Sequence, residues 1–294
     1  MPDFLEKPSE EASVARWQRF LGLALTRTSD LPDREAQWIL QAVLGWNGTD
    51  LFRYAGCPLP ASAGPAITDI LCRRLQGEPL AYCLGRWSFM DLDLQVSPDV
   101  LIPRPDTETL VRWAIGQIPP GKPWRVLDLG TGSGAVALAI AHARPETEIW
   151  AVEQSAEALG IARKNGEILG LHVRWCCGDW CAPLPGDLGF DLVVANPPYL
   201  ADSDPHLEGL CHEPRMALVS GPEGNECFGA ILEQVRPHLQ PNTRLALEHG
   251  CDQGRSVRGL LQQYGWDEIF TLGDLAGRDR VSGGIWKRQN AGAA

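Results

Sequence analysis

The chain has 294 residues, 44% of them hydrophobic and 21% charged, with a mean hydropathy of -0.15, enough for one large domain and a small one. A formal net charge of -11 and an isoelectric point near 5.0 set a field that repels a polyphosphate backbone, and no Lys/Arg run exceeds the pair Arg73 and Arg74. DNA and RNA are therefore disfavoured as substrates. No apolar run approaches the roughly 20 residues that cross a bilayer, and the acidic opening "MPDFLEKPSEEAS" lacks the basic flank of a signal peptide. The expected location is cytoplasmic.

The first ~80 residues carry apolar side chains at helical spacing: Val14, Trp17, Leu21, Ala24 and Leu25, then Ala36, Ile39, Leu40, Val43 and Leu44, then Ile67, Ile70, Leu71 and Leu75. A start signal precedes the second group, with Ser29 or Asp30 as cap ahead of Pro32. This predicts a small helical bundle.

Next, Met90, Leu92, Leu94 and Val96 alternate with Asp91, Asp93 and Gln95, the period of a half-buried strand. We expect a β-hairpin connector over residues 84–105 that ends in a rigid loop, "IPRPDTE". Asp106 or Thr107 is expected to cap the helix carrying Leu110, Val111, Ala114 and Ile115.

From Trp124 onward short apolar runs alternate with helical patterns, which predicts an α/β domain with a mostly parallel sheet covered on both faces. Ligands of such sheets lie beyond the C-terminal strand ends, which places Gly130, Glu153, Asp179 and Asn196 along one rim. "VLDLGTGSGAVALAI" reads as strand, glycine loop and helix, where backbone can approach a ligand and free N–H groups face it. Glu153, ending the next strand, suits two ribose hydroxyls. NAD and S-adenosylmethionine both have them, so this loop does not choose between the two.

Among nine irregularly spaced cysteines the one cluster is "HVRWCCGDWC". His172, Cys176, Cys177 and Cys181 hold thiolate-rich metal ligands in principle, but adjacent strand residues face opposite ways and free cysteine commonly buries as a small hydrophobe. No metal site is expected.

The discriminating segment is "VANPPYL". Pro197 and Pro198 supply no N–H and hold Asn196 extended, so acceptors point off the strand end. The Asn196 side-chain oxygen and the Pro197 carbonyl suit the two hydrogens of a planar –NH2, with Tyr199 placed to stack on the group that bears it. Methyl transfer to such a nitrogen uses this arrangement, whereas hydride transfer does not.

Over nearly its whole length the chain resembles class I S-adenosylmethionine-dependent methyltransferases of the HemK/PrmC type, the peptide chain release factor N5-glutamine methyltransferases. The resemblance rests on "GEPLAYCLGRWSFMDLDLQVSPDVLIPRPDTETLV", "VLDLGTGSGAVALAIA", "VVANPPYL", "EPRMALVSG", "LEHGCDQG" and "GRDRV", in that order. It implies a Rossmann-like, seven-stranded, mostly parallel sheet, with a substrate-recognition bundle over residues 1–83, the hairpin connector, and a methyltransferase domain over residues 106–294. By the same resemblance Gly130, Thr131, Gly132, Ser133 and Gly134 line the cofactor, Glu153 binds its ribose, and Asp179 and Trp180 flank its adenine. Asn196, Pro197, Pro198 and Tyr199 would hold the glutamine of a Gly-Gly-Gln loop in class 1 release factors.

Glu153 stands where the family usually has Asp, one methylene longer but still bidentate. Arg104 either contacts substrate or pins its loop by pairing with Asp106 or Glu108. His212, Glu213 and Arg215 either contact the pocket's outer wall or have ordinary surface roles, the latter at least as expected. The chain is expected to act as a monomer on a protein partner, without direct nucleic-acid or membrane contact. Alternatives are a glutamine methyltransferase of a ribosomal protein, a nucleic-acid amino-methyltransferase, and a non-catalytic cofactor-binding protein.

Overall fold

The computed structural model describes residues 7–9 and 11–287, so residues 1–6, read above for a missing signal, lie outside it. The chain divides into two compact units, one ending at Gly85 and the other starting at Arg86.

The first unit is helical: α1 (Val14–Leu25), α2 (Pro32–Leu44), α3 (Gly48–Arg53), α4 (Ala63–Leu75) and α5 (Leu80–Leu84). The apolar stripes read from the sequence meet in one core, where Trp17, Leu21, Leu25, Ile39, Leu40 and Ile67 are almost wholly buried. Arg74 reaches 39 residues back to Glu35 at 2.9 Å and ties α4 to α2. The start of α2 differs from expectation. Pro32 is its first residue but Leu31 is the N-cap, while the Ser29 hydroxyl accepts from the Leu31 N–H instead of capping the helix.

The second unit opens with the antiparallel hairpin β1 (Arg86–Phe89) and β2 (Leu92–Gln95), with Trp87 opposite Leu94. Leu92 and Leu94 are buried in the core of this unit, so the hairpin packs as part of it. A 3-10 turn, Pro105–Thr107, leads into α6 (Glu108–Gln117). Then follow β3 (Arg125–Leu129), α7 (Ala135–Ala143), β4 (Glu148–Glu153), α8 (Ala156–Leu169), β5 (Arg174–Cys177) and β6 (Phe190–Ala195). Two short strands, β7 (Leu200–Ala201) and β8 (Val219–Gly221), precede α9 (Glu226–Gln234), β9 (Leu239–Glu248), α10 (Gly254–Gln263), β10 (Asp267–Gly273) and β11 (Asp279–Ile285).

Seven strands form one sheet in the order β10-β11-β9-β6-β3-β4-β5, parallel except for β11, which runs antiparallel to both its neighbours. Strand β3 continues to β4 on one side and is flanked by β6 on the other. The order reverses there, and the crevice beyond the β3 and β6 ends is where such sheets bind ligands. Alternate residues supply the two faces: Val126 with Leu192 and Val194 beneath α6 and α7, and Leu127 and Leu129 with Val193 and Ala195 beneath α9 and α10. Among the described residues no helix is long and apolar enough to cross a membrane, and no group of three or more His, Cys, Asp or Glu is placed to hold a metal.

Candidate active site

A cavity of about 380 Å³, within the range of small-molecule sites, opens at this switch point. One half is built by the turn after β3. Gly130, Gly132 and Gly134 all take positive φ, at 72°, 56° and 84°, where an L side chain is strained. The Gly130 and Thr131 N–H groups both donate to the Val152 carbonyl, at 2.9 and 3.0 Å, which docks the loop on β4. Asp128, almost wholly buried, accepts from the Thr131 hydroxyl at 2.6 Å and the Ala137 N–H at 3.2 Å. Burial pushes its carboxyl up to about 7 against those two hydrogen bonds.

Glu153 is held by backbone donors: Oε2 accepts from Gly132 N–H at 2.8 Å and Oε1 from Ser155 N–H at 3.0 Å. Each oxygen keeps a lone pair for a ligand hydroxyl. The Trp180 ring lies over Gly130, because a Cβ added there would stand 3.5 Å from it. Asp179 accepts from Gln234 at 3.3 Å.

The other half follows β6. Asn196 donates from Nδ2 to the Thr107 hydroxyl at 3.2 Å. Thr107, 4% exposed, makes no side-chain cap to α6, so the expected capping gives way to this contact across 89 residues. Burial pushes the Glu248 carboxyl, almost wholly buried beside this site, up to about 7, against the pull of Arg280 and Arg104. Glu248, at the end of β9, was not singled out in the sequence. Its neighbour Tyr199 is pushed up to about 12, first by burial and then by the Glu248 charge.

Arg104 pairs with neither Asp106 nor Glu108. Its guanidinium binds Glu213, whose second oxygen accepts from Ile102 N–H at 3.1 Å. Glu213 is 8% exposed, which rules out the surface alternative for it, and it is the buried anchor of the "IPRP" loop. Arg215 does sit at the surface, paired to Asp202 at 3.0 Å, and His212 is exposed. Asp106 pairs with Arg280 at 3.0 Å.

Of the residues predicted from sequence, Gly130, Thr131, Gly132 and Ser133 line the cavity together with Glu153, Asp179 and Trp180. Asn196, Pro198 and Arg104 line it from the other side. Gly134, Pro197 and Tyr199 are not on its wall. Gly134 serves close packing, since a Cβ would come within 3.0 Å of Leu138 and 3.2 Å of Trp175. Pro197 is buried, and the half-buried Tyr199 ring packs against the core between the sheet and α9 and α10, away from the cavity wall where the sequence placed it to stack on a substrate group.

Sequence reasoning missed Asp128, Thr107, Glu248 and Asn165. The buried Asn165 carboxamide bonds the Ser133 carbonyl at 2.9 Å and both backbone groups of Gln95, at 2.7 and 3.0 Å. A polar residue in the buried stripe of α8 was the one available signal.

The comparisons with known proteins agree with this geometry. A model of the PrmC N-terminal domain matches residues 8–85, and a model of the methyltransferase small domain matches residues 115–221. The release factor glutamine methyltransferase of Coxiella burnetii is 42% identical over 270 residues, 92% of this chain and 97% of that one. The protein of the same name from Salmonella typhimurium is 42% identical over 88% of this chain and 94% of its own. The solved 16S rRNA N2 G1207 methyltransferase (RsmC) of T. Thermophilus, in complex with AdoMet and guanosine, is 19% identical over 69% of this chain and 50% of that chain. Its TM-score of 0.51 shows a shared class I methyltransferase fold and nothing finer. With 42% identity over nearly the full length of curated relatives, and both domain models matched in order, the chain belongs to the release factor glutamine methyltransferase family.

Proposed function

We propose that this protein is an S-adenosylmethionine-dependent protein-glutamine N5-methyltransferase that modifies the Gly-Gly-Gln glutamine of class 1 release factors. The observation that carries the reading is one cavity with a backbone-held carboxylate, Glu153, on one wall and the Asn196 carboxamide on the other. The donor set fits the cofactor: Glu153 has lone pairs for a ribose diol, and Trp180 and Asp179 suit a purine with its amino group. When bound, S-adenosylmethionine supplies an electrophilic methyl group on a sulfonium. The chain's own residues position the nucleophile.

An amide nitrogen is a weak nucleophile because its lone pair is delocalised. Asn196 Oδ1 and the Pro197 carbonyl take its two hydrogens and aim the remaining density across the cavity, so orientation does the work that a strong base does elsewhere. Pro198 flanks the amide, and Tyr199 fixes the direction in which the loop leaves β6. Glutamate lacks both hydrogens and leaves two acceptors unpaired, which is the basis of selection against it. Arg104, held by Glu213, lines the substrate side. The helical first unit is assigned to recognition of the release factor, and one chain supplies the whole cavity, so a monomer in the cytoplasm suffices.

The net charge of -11 favours a protein substrate over nucleic acid. To test this, the purified chain is incubated with methyl-labelled cofactor and, separately, release factor, ribosomal protein, DNA or RNA, and the label is mapped by mass spectrometry. Label on the Gly-Gly-Gln glutamine is expected. Its absence there, with label on a base or on a ribosomal protein, would overturn the reading.

A further inference from the structure

The directions of the Asn196 carboxamide and the Pro197 carbonyl depend on how the segment from Asn196 to Tyr199 is held at its two ends. At the near end Asn196 follows Ala195, which stands in register with Leu247 of β9. Within the segment the rings of Pro197 and Pro198 fix φ, so ψ is the soft torsion left at each. Rotation about the ψ of Pro197 swings its carbonyl oxygen directly. A second anchor beyond the prolines removes that freedom.

Gln253 supplies it. Its side-chain Oε1 accepts from the Gly250 N–H at 2.8 Å, while Nε2 donates to the Tyr199 carbonyl at 2.9 Å and to the Gly224 carbonyl at 3.0 Å. A backbone N–H only donates and a carbonyl only accepts, so these three partners leave one orientation for the amide. Gln253 is the N-cap residue of α10, yet its side chain makes no cap to that helix and reaches 54 residues back to Tyr199 instead. Its own N–H donates to the Gly250 carbonyl at 3.0 Å, closing the turn from which the side chain projects.

The Gly224 contact brings in the rest of the acceptor wall. Gly224 is buried with φ at 77°, and a Cβ there would stand 2.8 Å from the Tyr199 carbonyl oxygen, so this backbone lies directly against the end of the segment. Just beyond, the Leu200 N–H donates to the Leu218 carbonyl and the Asp202 N–H to the Gly221 carbonyl, both at 2.9 Å, which aligns β7 with β8. Ala217 and Val219, on either side of Leu218, line the cavity with Asn196 and Pro198. One carboxamide thus joins three backbone stretches behind that wall: the exit of β6, the turn after β9 and the lead into α9.

We propose that Gln253 is a positioning residue for methyl transfer, the far anchor that holds the Asn196–Tyr199 segment so that Asn196 Oδ1 and the Pro197 carbonyl converge on one substrate –NH2. This rests on the methyltransferase reading given above. Gln253 touches neither substrate nor cofactor, and its effect falls on the rate of transfer.

The test compares wild type with Gln253→Met, which keeps the length and deletes all three hydrogen bonds, and Gln253→Glu, which keeps the acceptor for Gly250 but turns a carboxylate oxygen toward two carbonyls. Measured are the single-turnover rate constant at saturating release factor, KM for release factor, calorimetric affinity for S-adenosylhomocysteine, and the thermal midpoint. Gln253→Met is expected to lower the rate constant by about 10- to 100-fold, with KM and cofactor affinity within about threefold of wild type. Gln253→Glu should be slower still, by about another fivefold, because two buried carbonyls then face an acceptor. A role confined to stability would lower the thermal midpoint and leave the rate of the folded enzyme unchanged.

A folded Gln253→Met enzyme with a rate constant within about threefold of wild type would overturn the proposal, as would a Gln253→Glu enzyme that outpaces it. If Gln253→Met does not fold, Gly224→Ala presses on the same Tyr199 carbonyl from the other side, and a wild-type rate there would overturn the proposal equally. Failure of wild type itself to label the glutamine would instead overturn the methyltransferase reading.

Discussion

The two walls of the cavity are built in opposite ways. The glycine-loop wall is assembled mostly from neighbours in sequence: Asp128 reaches Thr131 and Ala137, and Glu153 reaches Ser155 as well as Gly132, 21 residues back in the loop between β3 and α7. The Asn196 wall is assembled from strangers, with Thr107 89 residues away and Arg104 109 residues from Glu213. A ligand-holding surface made of local turns can be written into a motif. A surface that must orient one amide is braced from several elements at once, and no short pattern records it.

The sharpest way to break this contrast is Asn196→Ala. Transfer to release factor should fall by about 1,000-fold or more, while affinity for S-adenosylhomocysteine, set by the other wall, stays within about threefold. Calorimetry and single-turnover labelling check both halves. Loss of cofactor affinity in step with activity would mean the walls are not separable.

A smaller effect is expected on the glycine-loop wall. Asp128 keeps its proton in the folded state up to about pH 7, above the value of 3.8 for a free side chain. The folded protein therefore binds the proton more tightly than the unfolded chain. The stability this contributes is complete below about pH 4 and is lost as pH rises through 7. Asp128→Asn mimics the protonated form, so between pH 5 and 8 wild type should lose roughly 2 kcal/mol more than the variant in denaturant titrations. A constant difference across that range would show that Asp128 is ionised throughout. Glu248 drifts the same way in both proteins.

The smallest effects separate anchor from ornament on the Asn196 wall. Glu213→Gln removes the charge that holds Arg104 and should cost about 1–2 kcal/mol in thermal unfolding, because Glu213 is buried while Arg104 is a third exposed. Arg215→Ala, two residues on, breaks an exposed pair and should cost less than about 0.5 kcal/mol. Equal costs would erase the distinction between the two carboxylate pairs.

These differences explain what the sequence made legible. The helical stripes of the first unit, the alternation in β2 and the strand-loop-helix around Gly130 follow from periodicities that survive folding unchanged, and the apolar residues named from them are buried or, like Val43, Leu44, Ile70, Leu75 and Met90, half-buried against the core. The loop glycines were readable as a set, but not the division of labour within it, where Gly130 and Gly132 face the cavity and Gly134 admits Trp175. The place of Glu213 stayed open because a charged residue in a polar run looks solvated until its partner arrives from another part of the chain. Thr107 was misread for the same reason: a helix-start position predicts a cap, and tertiary contact diverted the hydroxyl to Asn196.

Asn165 carries one more consequence. Its single carboxamide grips Gln95 of the hairpin by both backbone groups and the Ser133 carbonyl of the glycine loop. The hairpin edge and the cofactor loop therefore cannot open independently at that point: freeing one releases the side chain that holds the other. In amide hydrogen exchange the Gln95 N–H becomes a remote gauge of the glycine loop, slowing when a cofactor steadies it, though the hairpin touches no ligand itself.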